Sequence, residues 1–160
     1  MASNKNIHKL AFASINIYSD ELNPVFWTHY FGFTPDMSFK KGESFVNHKG
    51  NLIVGNINRP GAWIYSAKHH VDSDYLDPYI MFLISKFGLP RSDLPDLLVR
   101  MNTNMRCFCF WDNYSGDRVA QISPYLQDIL AKSGIALEID EYPGTNNGQP
   151  WPDVADEVIP

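Results

Sequence analysis

Three times along this chain a polar residue is followed at once by a proline and, eight or ten residues after it, by a glycine. The segments are Asn23-Pro24 to Gly32, Asp77-Pro78 to Gly88 and Ser123-Pro124 to Gly134. A capping oxygen satisfies an orphan N–H, proline loses nothing at the first helical position, and glycine accepts the left-handed stop. The pattern predicts three helices with defined ends. Tyr79, Ile80, Leu83, Ile84 and Phe87 give the second helix an apolar stripe at helical spacing, as do Tyr125, Leu126, Ile129 and Leu130 in the third. A further short helix is expected over Pro95 to Met101, with Asp93 or Leu94 at its start.

Strand-like segments lie between these helices. Ala11, Ala13, Ile15 and Ile17 alternate with Phe12, Ser14, Asn16 and Tyr18, the pattern of a half-buried strand. Ala62 to Ser66 and Arg106 to Trp111 are aromatic and strand-prone, and Ile135, Leu137 and Ile139 alternate with Ala136 and Glu138. A lesser strand pair is expected over Ser38 to Phe45 and Leu52 to Ile57. The string Tyr-Ser recurs at 18–19 and 114–115, each time ahead of a proline-opened helix, so two pseudo-repeated strand–helix–strand units are expected. The reading is one α+β domain over residues 1–142, a mostly antiparallel sheet with helices packed on one face. Residues 143–160 read as an acidic, largely irregular tail, rich in Pro, Gly and Asn near Thr145-Asn146-Asn147-Gly148.

The chain has 160 residues, of which 44% are apolar, 14% aromatic and 19% charged. That composition supports a folded core and excludes an intrinsically disordered chain. The formal net charge is −5, which argues against a nucleic-acid binder with a basic footprint. The charge is unevenly placed. Residues 1–132 hold all 13 basic residues and 12 acidic ones, and the last 28 residues hold Glu138, Asp140, Glu141, Asp153, Asp156 and Glu157 with no Lys or Arg. Trp151 sits among those acids, so this stretch is the expected contact surface for a basic partner. The plainer reading is a solvating segment whose Trp docks on the domain. Asp112 and Asp117 flank Tyr114 and join the partner-binding residues. As a catalytic carboxylate pair they compete with ordinary turn chemistry.

No stretch approaches the roughly 20 apolar residues of a membrane span, and the first residues lack the apolar run of a signal peptide. Cys107 and Cys109 read as reduced, buried thiols, consistent with a cytosolic protein. His69-His70-Val71-Asp72-Ser73-Asp74 is the densest group of metal-ligand types. Consecutive histidines on a strand point to opposite faces, and the spacing matches no zinc signature, so turn and helix-start roles are favoured for Asp72 and Ser73. An alternative makes His69, His70, Asp72 and Asp74 the ligands of a metal-dependent hydrolase. A third reading places Trp63, Tyr65 and Trp111 around a small-molecule pocket. There is no phosphate-binding glycine loop and no nucleophile elbow. No cofactor is expected.

One longer string carries a resemblance. Leu22-x-Pro24-x-x-x-Thr28-x-x-x-Gly32-x-x-Pro35 follows the first strand, then come Lys41-Gly42-Glu43, Trp63-x-Tyr65-Ser66, and a helix bearing Leu76, Ile80, Leu83 and Ile84. In order and spacing this resembles the bacterial domain-of-unknown-function family 4279, from about Phe12 to Tyr142. The loop from Val46 to Gly61 looks long for that pattern, and residues 143–160 lie outside it. The resemblance implies a small cytoplasmic bacterial protein. It also implies an immunity protein that binds and neutralises a cognate toxin or effector, with no catalytic residue to carry over. The acidic segment favours a basic, nuclease-like toxin.

Overall fold

The computed structural model describes residues 8–143. In chain order these form β1 (Ala11–Ser19), α1 (Pro24–Phe31), β2 (Met37–Phe39), β3 (Phe45–Val46), β4 (Leu52–Ile53), β5 (Gly61–Ser66), α2 (Leu76–Phe87), α3 (Leu94–Arg100), β6 (Asn104–Asp112), α4 (Pro124–Lys132) and β7 (Ala136–Tyr142). A five-stranded sheet runs β2-β5-β1-β6-β7, and β3 and β4 make a separate small hairpin. Pairing is antiparallel except for β6 with β7. The expected α+β class and mostly antiparallel sheet are therefore present. α4 is the crossover that a parallel β6–β7 pair requires.

Helix ends follow local chemistry. Asn23 Oδ1 accepts from Val25 N and Ser123 Oγ from Leu126 N, each just ahead of a proline. Gly32 and Gly88 close α1 and α2 in the left-handed conformation. α2 departs from expectation. It begins at Leu76, and Asp77 does not cap it. Leu76 is fully buried, so its side chain sets the start, and Pro78 still falls within the first turn, where no N–H partner is lost. Asp77 instead accepts from Ser123 N at 3.0 Å, tying the start of α2 to that of α4. Tyr125 is exposed, unlike Leu126, Ile129 and Leu130.

β1 is buried along all nine residues rather than on one face. It is the central strand, and its polar residues satisfy one another. Ser14 Oγ donates to Asn16 Oδ1 at 2.9 Å, and Asn16 Nδ2 donates to the Tyr18 hydroxyl at 3.2 Å. Pairing register sorts the sheet into two faces. Ile15 shares its face with Trp63, Tyr65, Cys107 and Cys109; Asn16 shares the other with Ile64, Arg106, Phe108 and Glu138. On the Ile15 face, Trp63 meets Phe31 of α1 and Phe87 of α2 at 5.8 and 5.9 Å between ring centroids. Trp63 Nε1 donates to Thr28 Oγ1 at 3.1 Å. Arg91 locks the helices to one another, donating to Phe87 O and Tyr30 O while lying over the Tyr30 and Phe31 rings.

The two lesser strands are shorter than expected. Strand pairing over Ser38 to Phe45 splits into β2 and β3, and the Leu52 to Ile57 segment keeps only β4. Leu52, Val54 and Ile57 are exposed, so no core holds that stretch extended. Phe45 stacks on Phe39 at 4.2 Å and anchors the hairpin to the sheet. Among the described residues no helix is long and apolar enough to cross a membrane. Tyr18 lies within β1, whereas Tyr114 lies in an exposed turn beyond β6.

Candidate functional site

Among the described residues, cavities open at two places on the Asn16 face. The larger, about 470 Å³, lies at the end of β1 and the start of β6. Asn16, Tyr18 and Phe108 line it from the strands, and Asn102 and Asn104 from the turn entering β6. Asn102 takes a left-handed backbone (φ 48°), which asparagine tolerates better than most residues. Ser19 Oγ donates to its carbonyl at 3.3 Å, fastening that turn to β1. Arg106 Nη1 and Glu138 Oε2 form a half-exposed ion pair at 3.3 Å on the wall. Burial pushes the Tyr18 hydroxyl up to about 12, only partly offset by the Asn16 hydrogen bond and the Arg106 charge.

The second cavity, about 310 Å³, lies further along the same face. Phe12, Met37, Val46 and Ile64 make it largely apolar, with Lys68, His69 and Asp36 at its polar margin. Lys68 Nζ sits 4.9 Å from the centre of the Phe12 ring. Burial and the neighbouring Lys68 and Lys9 charges hold the His69 imidazole below its usual range.

The histidine–aspartate segment is divided by the fold. His69 lines the second cavity, while His70 is stacked between Tyr65 and Phe82. Ser73 serves the turn: its Oγ accepts from Tyr75 N, and its carbonyl accepts from the Tyr79 hydroxyl at 2.9 Å. Asp74 contributes its carbonyl to Arg118. Among the described residues no three His, Cys, Asp or Glu side chains converge as a metal site, so His69, His70, Asp72 and Asp74 are not brought together.

Asp112 and Asp117 also part company. Asp112 is 1% exposed, with its Oδ2 2.6 Å from His8 Nε2. Its side chain therefore holds the start of β1 to the end of β6 and offers no outward surface. Asp117 is exposed and accepts from Ser115 Oγ. Arg118 lies 4.0 Å from the Trp111 ring and donates to the Asp112 carbonyl.

Cys107 and Cys109 are free and buried. The hydrogen bond that the Cys109 thiol donates to Cys107, together with burial, holds that thiol well above its usual range. That is the opposite of an activated thiolate. Trp63 and Trp111 are buried on the Ile15 face and line neither cavity. The aromatic walls come instead from Phe12, Tyr18 and Phe108, whose strand positions read equally well as core.

Of the acidic segment, Glu138, Asp140 and Glu141 lie on β7, the last strand of the sheet order. Glu138 and Asp140 share the Asn16 face, opposite Phe108 and Phe110, and Glu141 lies opposite Trp111. Ile139 between them is 42% exposed. Trp151, Asp153, Asp156 and Glu157 lie outside the described residues.

No curated protein and no solved structure matches the chain. A family model does match, over residues 8–144. That span includes all eleven elements, both cavities and the acids of β7, and the chain belongs to this family, the domain of unknown function DUF4279.

Proposed function

We propose that the protein acts by binding: a cytoplasmic immunity protein that captures and neutralises a basic bacterial toxin or effector. The observation that carries this reading is β7. Among the described residues it is the last strand of the sheet, paired with β6 along one side, and it carries Asp140 and Glu141 beside the exposed Ile139, with Glu138 paired to Arg106. A sheet edge offers backbone groups for strand addition, and a local excess of one charge steers an oppositely charged partner. Asp117, exposed in the loop after β6, is a further acidic candidate for the same partner. The reading takes the helices as covering the Ile15 face, supported by the Phe31 and Phe87 contacts to Trp63. It takes β1–α1–β2 and β6–α4–β7 as the two pseudo-repeated units, supported by their proline-opened helices. Cells expressing the product of the adjacent gene should survive only when this protein is co-expressed. Equal survival with and without it would contradict the reading.

A second reading, a small-molecule-binding module, is supported by the two cavities on the Asn16 face. It differs from the first in needing no protein partner.

A further inference from the structure

Resting on that second reading, we infer that the larger cavity is a binding site for a neutral, polyhydroxylated ligand: a monosaccharide or short oligosaccharide. Its volume of about 470 Å³ falls within the roughly 300–1,000 Å³ usual for small-ligand sites.

Charge sets the first limit on the ligand. The acids lining the cavity are Asp20 and Glu138. Asp20 has Lys41 at 3.4 Å, and Glu138 has Arg106 at 3.3 Å. Each charge already has its complement. Both pairs are solvent-exposed and balance one another's charge, so the lining offers little net charge to favour an ionic ligand over a neutral one. The pairs still offer a neutral ligand carboxylate acceptors and guanidinium donors.

The remaining lining sets the second limit. Three asparagines converge on the cavity from different parts of the chain: Asn16 within β1, Asn102 in the turn after α3, and Asn104 opening β6. Each amide carries both donor and acceptor groups. A pair of adjacent hydroxyls is the matching partner, since each hydroxyl donates and accepts. Asn16 and Asn104 stand on the same face of neighbouring strands, with Asn102 on the turn beside them, so the amides form a polar patch that suits the adjacent hydroxyls of a sugar ring. Phe108 supplies an aromatic surface among these amides. The electron-rich face of such a ring attracts the polarised C–H groups of a sugar. Asn16 is held in place by Ser14 and Tyr18, and Asn102 by Ser19, so much of the site is organised before a ligand arrives.

The test uses the full chain, isotopically labelled, and follows the side-chain amide signals of the asparagines by NMR. The probes are glucose, galactose, mannose, N-acetylglucosamine, maltose and cellobiose, with adenine, glucosamine and gluconate as planar, cationic and anionic comparisons. At least one neutral sugar is expected to shift the Asn16, Asn102 and Asn104 signals saturably. Asn104→Ala, at an exposed position, should weaken that sugar about tenfold by removing an amide partner, with the thermal midpoint unchanged. Saturable binding of adenine or of the charged probes alone would overturn the ligand class while leaving the cavity as a site. Absence of saturable shifts with every probe would overturn both. Sugar shifts of equal strength in Asn104→Ala would overturn the assignment to this cavity.

Discussion

Trp63 on β5 donates its indole N–H to the Thr28 hydroxyl of α1 across 3.1 Å. Trp63 is fully buried, so this bond does more than join a helix to the sheet: it satisfies a donor that water cannot reach. Thr28→Val keeps the shape and removes the acceptor. It is expected to cost about 1–3 kcal/mol, the penalty of an unpaired buried donor. Urea denaturation should show a lower midpoint with an unchanged slope.

Tyr18 gives the fold a pH signature. Its hydroxyl ionises near 12 in the folded chain against an ordinary value of 10.0. Burial favours the neutral form, so the stabilisation is complete below pH 10 and is lost as the pH climbs from 10 through 12. A two-unit shift corresponds to about 2–3 kcal/mol over that window. The difference in stability between the wild type and Tyr18→Phe should therefore change between pH 10 and 12 and stay level between pH 7 and 9.

Two glycines separate backbone strain from packing. Gly32 and Gly134 both have positive φ, 83° and 76°. A Cβ on Gly32 meets nothing within 4 Å, whereas one on Gly134 falls 3.2 Å from Pro95 Cα, where α3 meets the end of α4. Gly32→Ala should cost about 1 kcal/mol for conformation alone. Gly134→Ala should cost a further 1–3 kcal/mol or so for overpacking. Thermal melts of the two variants check the order.

The cysteines should be inert in the native chain. Cys109 is held in its thiol form and both are buried. A thiol-reactive disulfide reagent at pH 8 is expected to label neither until denaturant is added, and then both. Rapid labelling without denaturant would contradict their placement.

How far the sequence could be read depended on whether the decisive interaction was local. The caps at Asn23 and Ser123 depend on atoms two or three residues away, so those helix starts were legible. The start of α2 was not, because burial of Leu76 outweighed the capping chemistry of Asp77, whose side chain is used on α4 instead. β1 alternates like a half-buried strand, yet its polar residues are buried because Ser14, Asn16 and Tyr18 satisfy one another. Gly61 looked like a loop glycine. It opens β5, where a Cβ would lie 2.8 Å from Leu22 Cβ. The larger cavity brings together Asn16, Asn104 and Glu138 from three strands, and no sequence spacing encodes that meeting. The acids of β7 were visible as charge, but their place on an edge strand depends on the parallel pairing with β6.

The most direct measurement of the central claim is a calorimetric titration of the full chain with the protein encoded by the adjacent gene. The account predicts a one-to-one complex with a dissociation constant on the order of 10⁻⁷ M or tighter. It further predicts that Glu141→Lys, on the exposed edge of β7, weakens binding about tenfold and reduces its dependence on salt. No detectable binding, or an affinity unchanged by Glu141→Lys at low salt, would contradict it.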